Sequence, residues 1–96
     1  MTIKNIYQHT TNTIPKTQKL YTDERFDVLY INLSKTESLK PHTSATDVFL
    51  LMIEGEIIFS IAEKNFCLQK GDSFSFKAGD VHAVEAVTNA SFLLVK

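Results

Sequence analysis

From Phe26 onward the chain alternates short apolar runs with turn residues. Phe26–Leu33 (FDVLYINL), Asp47–Ile53 (DVFLLMI), Ile57–Ala62 (IIFSIA), Phe66–Leu68 (FCL), Ser73–Phe76 (SFSF), Val81–Val87 (VHAVEAV) and Ser91–Val95 (SFLLV) are rich in β-branched and aromatic residues. No segment keeps a helical apolar period for three turns, whereas the strand signal recurs. Short strands separated by turn signals predict an all-β sandwich or barrel with little or no helix. Gly55, Gly71 and Gly79 all fall between the runs, where turns belong.

Alternation then assigns faces. Val48, Leu50 and Met52 share one side of their run, and Phe49, Leu51 and Ile53 the other. Both sides are apolar, which predicts a strand buried on both faces. In so small a domain the second face needs cover, from the N-terminal arm or from a second subunit in a two-fold dimer. Phe74 and Phe76 oppose Ser73 and Ser75, as core residues would. His82, Val84 and Ala86 share a face that Glu85 does not, so His82 and Glu85 form no dyad. Tyr30 and Asn32 lie on one face with Val28, and their hydroxyl and amide make them candidates for orienting a small molecule in a pocket. Residues 1–19 are rich in Thr, Asn, Lys and Gln. They are expected to form a loosely ordered arm, with His9 solvated, leaving 20–96 as the folded domain. Residues 34–46 (SKTESLKPHTSAT) are read as a polar loop.

Composition narrows the function classes. The 96 residues are 44% hydrophobic and 22% charged, as expected for one globular domain. Ten basic and eleven acidic residues give a net charge of −1 with no basic block, which excludes nucleic acid as the expected partner. Arg25 is the only arginine, so a site built on guanidinium forks has little material. Cys67 is the only cysteine. It can form no intrachain disulfide, and between Phe66 and Leu68 it reads as a small buried hydrophobe. The N-terminal residues contain no continuous apolar stretch of the signal-peptide kind, and the run Val48–Ile53 is too short to span a bilayer. The expectation is a cytoplasmic protein without a membrane partner.

Two stretches hold the candidate chemistry. HTSATDVFLLMIEG (His42–Gly55) and GDSFSFKAGDVHAVEA (Gly71–Ala86) each place a histidine beside a predicted strand. Their spacing resembles the two motifs of the cupin family. The first of these is His-x-His, three or four residues, Glu, six residues, Gly. The second is Gly, five residues, Pro-x-Gly, two residues, His, three residues, Asn. His42, Gly55, Gly71, Gly79 and His82 match. Ser44 stands at the second histidine, Val48 at the glutamate, Lys77 at the proline and Ala86 at the asparagine. The resemblance runs from Ser38 to the end of the chain and implies an antiparallel double-stranded β-helix, or jelly-roll barrel.

The same resemblance implies a site. In metal-binding members the two histidines and glutamate of the first motif and the histidine of the second hold a divalent transition metal. Here only His42 and His82 remain as candidate ligands. Ser44 is a poor ligand and Val48 is none, so a metal cofactor is doubtful: first-row metal sites normally use three or more protein ligands. Asp47 neighbours Val48, but alternation aims it away unless a β-bulge re-aims it. Three functions follow as expectations. The leading one is a barrel that binds a small molecule near His42 and His82, with Ser44, Val48, Tyr30 and Asn32 as further pocket candidates. The second is a metal-dependent cupin enzyme, of dioxygenase or isomerase type, with a reduced two-histidine site. The third is a structural homodimer whose barrel is filled, the histidines being core residues bonded to backbone, water or Ser44.

Overall fold

A computed structural model describes residues 1, 3–8 and 15–96 of the chain. His9 therefore lies outside the described residues, as does much of the expected arm. Among those described there are nine strands and no helix: β1 (Thr17–Thr22), β2 (Asp27–Leu33), β3 (Ser38–His42), β4 (Val48–Glu54), β5 (Glu56–Ile61), β6 (Lys64–Gln69), β7 (Ser73–Phe76), β8 (His82–Ala86) and β9 (Ala90–Val95). They form two antiparallel sheets, ordered β1-β2-β9-β4-β7 and β3-β8-β5-β6. The architecture is the all-β jelly-roll barrel.

The inner faces meet in one apolar core. Ile31 and Leu33, Ala90 and Phe92, Val48, Leu50 and Met52, and Phe76 come from the five-stranded sheet. Val84 and Ala86, Ile57, Phe59 and Ile61, and Leu68 come from the other. Leu50, Ile57, Phe59 and Phe92 are essentially inaccessible to solvent. Ser73 and Ser75 point outward while Phe76 is buried and Phe74 packs against the core, as the alternation predicted.

The outer face of the five-stranded sheet corrects one expectation. Leu51 and Ile53 are only half-buried and Phe49 is 44% exposed, so β4 is not sealed on both sides within one chain. Part of that face has its own cover. Lys4 Nζ donates to the carbonyl of Lys19 on β1, and the Tyr7 hydroxyl donates to Glu54 at the end of β4 (3.5 Å). The segment between them therefore crosses β2 and β9, and the outward-facing Tyr30 and Ser91 are buried.

Two strands fall where loop or arm was expected. β1 begins at Thr17 and pairs with β2. β3 occupies part of the stretch read as a polar loop, with β8 as its partner. Both are edge strands and largely exposed, so neither needs the apolar alternation that betrays a core strand.

Candidate functional site

His42 and His82 face each other across the β3–β8 ladder. On β8, His82 follows from alternation with Val84 and Ala86, all buried. On β3 the register shifts between Leu39 and His42, because three steps along β3 match two along β8. The extra residue is a β-bulge at Lys40–Pro41, and it puts both Leu39 and His42 on the cavity side. Proline fits there because a bulged edge strand does not need every N–H.

The two imidazoles meet edge to face, with centroids 4.3 Å apart. Each is oriented by its own backbone: His42 Nδ1 lies 2.6 Å from the Lys40 carbonyl and His82 Nδ1 2.9 Å from that of Asp80. A carbonyl only accepts, so each Nδ1 carries the proton and each Nε2 keeps a lone pair. His82 is 6% exposed, stacked on Phe59 and tilted against Phe76. These rings extend a chain of aromatics, since Phe59 also touches Phe74, which touches the partly exposed Phe66.

The histidines lie at one end of a cavity between the sheets. Its walls are apolar, from β4 (Val48, Leu50), β5 (Phe59), β7 (Phe76) and β9 (Phe92, Leu94), with Leu39 and Val84 alongside. Lys96, an exposed residue, is the only other polar residue on its lining. The volume open to the centres of water-sized molecules is about 30 Å³, space for about two waters. The barrel is thus nearly filled, and the remaining space adjoins the histidines.

Burial, which penalises the charged form, pushes the His82 pKa below its usual range. The Asp80 carbonyl opposes this, whereas His42 and Lys96 add to it. The unfolded chain therefore binds this proton more readily than the folded one. The stability due to neutral His82 is complete above the ordinary histidine pKa, near 6.5, and is lost as pH falls from there toward the folded value. The unfolding midpoint should drop more between pH 7 and 5 for the wild type than for His82→Gln. Superimposable profiles would contradict this.

The other expected pocket residues lie elsewhere. Val48 lines the cavity, but Ser44 does not. Its hydroxyl accepts from the Thr46 N–H and its carbonyl from the Gly79 N–H. Tyr30 and Asn32 pair with Leu93 and Ser91 on the outer face, away from the cavity, because Ile31 and Leu33 take the inner positions of β2. Asp47 stays outside as well. It accepts from the Ala78 N–H (2.9 Å) and lies 3.5 Å from Lys77, contacts that lower its pKa. Sequence reasoning missed Lys96, whose only signal is that it follows the last strand. Cys67 is exposed rather than buried, since it lies on the outward face of β6 opposite Ile58. Glu56 beside it raises the thiol pKa, which disfavours a nucleophilic thiolate.

The sequence profile of the cupin domain (cupin 2) matches residues 29–96, most of the chain and both candidate histidines. The chain belongs to the cupin family. No protein of curated function matches it. Among solved structures, a cupin from Methanocaldococcus jannaschii with a double-stranded β-helix superposes with a TM-score of 0.81 at 20% identity, over 100% of this chain and 92% of that one. A cupin superfamily protein from Desulfitobacterium hafniense gives 0.80 at 18%, over 83% and 73%. A conserved protein of unknown function from Streptococcus pyogenes gives 0.78 at 20%, over 99% and 93%. At these identities the likeness concerns the fold.

The metal that many cupins hold does not fit this donor set. Two imidazoles face the cavity, Val48 supplies no oxygen, and the Ser44 hydroxyl and Asp47 carboxylate are engaged elsewhere. Among the described residues no three His, Cys, Asp or Glu side chains cluster as ligands would. Nor, among those residues, is any helix long and apolar enough to cross a membrane.

Proposed function

We propose that this cupin binds a small molecule at the mouth of its barrel, against His42 and His82. The supporting observation is the imidazole pair. Both rings are pinned through Nδ1, which leaves each Nε2 its lone pair, and both residues line the apolar cavity. Backbone anchoring of that kind pre-organises two acceptors and lowers the entropy cost of binding. The site can hold one polar group of a ligand and a short apolar stub, but not a large body. A metal-dependent reaction would need a further donor that the cavity walls do not offer.

A ligand that binds only the native state raises the unfolding midpoint, by about 2.7 kcal/mol of stability at a hundred times its Kd. A small-molecule thermal-shift screen should yield compounds that stabilise the wild type and lose their effect on His42→Ala, which changes an exposed ring. Hits that stabilise both proteins equally would overturn the reading, as would a screen without hits.

A homodimer is the second reading, favoured by the exposed Phe49 among half-buried Leu51, Leu93 and Val95. These lie toward the end of the sheet remote from Glu54, where Phe49 pairs with Val95. Sedimentation at micromolar concentration should show a dimer for the wild type and a monomer for Phe49→Lys. A monomeric wild type would remove this reading.

A further inference from the structure

Resting on that binding site, we infer that the ligand is a short uncharged alcohol, its hydroxyl donating to Nε2 of His82 and its alkyl part in the cavity.

An unpartnered acceptor is the first ground. The His82 Nδ1–H donates to the Asp80 carbonyl, which leaves the lone pair on Nε2. Among the described residues nothing donates to that nitrogen. It is not sealed off either. The enclosed side-chain polar atoms without a partner, among those residues, are Gln18 Nε2 and Ser91 Oγ, so His82 Nε2 opens onto accessible space. The ring shares the inner face of β8 with Val84 and Ala86 and lines the cavity, which is the space available to it. The residue is 6% exposed, and a buried acceptor gains from a donor that bulk water supplies poorly. His42 is exposed and can take its donor from solvent.

The chemistry of the donor follows by comparison. A carboxylate brings only acceptors and meets a lone pair. An ammonium donates, but it carries charge among apolar walls with no acidic side chain on the lining. A primary amide brings a carbonyl as well, and both Nδ1–H groups are already bonded to backbone. A hydroxyl supplies the donor in one small uncharged group. A space of about 30 Å³ admits a few heavy atoms, which leaves out bulky ring donors such as indole. Val48, Leu50, Phe76 and Phe92 on the walls reward an alkyl group beside the hydroxyl.

The test uses the full chain at pH 7.5 and constant ionic strength. The probes share one branched skeleton: 2-propanol, acetone, acetamide, acetate and isopropylammonium. The nitrogen resonances of the His82 ring and the methyl resonances of Val48 and Leu50 are followed. 2-Propanol should move the Nε2 resonance saturably, in the direction of protonation, as hydrogen-bond acceptance does. The other four should need at least about tenfold higher concentrations for an equal effect. His82→Phe keeps an aromatic ring and removes the acceptor, so the alcohol should lose its advantage over acetone at the methyl groups. The wild-type Nε2 shift decides the matter where that variant fails to fold. Acetone, acetamide, acetate or isopropylammonium binding as tightly as 2-propanol would overturn the alcohol assignment and leave the binding site standing. No response to 2-propanol would overturn it as well, and with no hits in the wider screen the binding site falls too.

Discussion

Val48→Glu is expected to destabilise the protein by about 3 kcal/mol near pH 8, which lowers the unfolding midpoint by about 12–24 °C in a domain of this size. Val48 is 5% exposed and lines the cavity beside both imidazoles. An ionised carboxylate there loses most of its water among largely apolar walls, with the exposed Lys96 as the only lysine on the lining. Removing a charge from water without a partner costs several kcal/mol, partly relieved by proton uptake. The penalty should therefore shrink toward pH 6, where an imidazolium can pair with the new carboxylate. The same substitution supplies the missing oxygen donor, completing two nitrogens and a carboxylate of the kind zinc enzymes use. Zinc or nickel should then restore most of the lost midpoint in the variant and do little for the wild type. Equal metal stabilisation of the wild type would show that His42 and His82 suffice, and would reverse the conclusion drawn from the donor set.

Gly55→Ala should cost about 4 kcal/mol, combining a left-handed backbone with a direct clash. Gly55 turns β4 into β5 at φ +77°. A Cβ there would meet the Asn89 carbonyl oxygen well inside contact distance and the Ala90 Cα at 2.7 Å. Both neighbours are backbone, held by a knot of bonds between the β4–β5 and β8–β9 turns. The Val87 N–H donates to the Glu56 carbonyl, the Glu56 N–H to the Thr88 hydroxyl, and the Lys35 N–H to the Asn89 side chain. The turn cannot retreat without opening that knot. Gly71 and Gly79 also have positive φ, but nothing lies within 4 Å of their missing Cβ atoms. Gly71→Ala and Gly79→Ala should cost only the conformational part, about 1–2 kcal/mol. Comparing the three by denaturant unfolding isolates the clash. Similar losses in all three would refute it.

How much of this was legible in the sequence depended on burial. The seven runs with apolar patterning became β2 and β4 through β9, with ends displaced by two residues at most. β1 and β3 carry polar and exposed residues, so no pattern announced them. Alternation grouped Val28, Tyr30 and Asn32 correctly on one face but could not say which face was inward. That depends on Ile31 and Leu33 packing into the core, while Tyr30 is buried on the outer face. Cys67 illustrates the same limit, since apolar sequence neighbours point the opposite way along a strand. Motif spacing paired His42 with His82 across forty residues. The bulge that makes their meeting possible was invisible, because Lys40 and Pro41 look like loop residues. Lys96 reaches the site through its tie to Asp27, a contact between chain segments that no local pattern encodes.

The stacked aromatics have a spectroscopic consequence. His82 lies nearly parallel to Phe59, at 10° and 5.8 Å between centroids, with Phe76 tilted against it at 4.6 Å. Circulating π-electrons in those rings shift the magnetic resonances of the His82 ring protons away from those of a solvated histidine. A molecule held against His82 would change the surroundings of that ring and so move those resonances. The protein thus contains a built-in nuclear magnetic reporter at the barrel mouth, legible without any label and before the identity of its ligand is known.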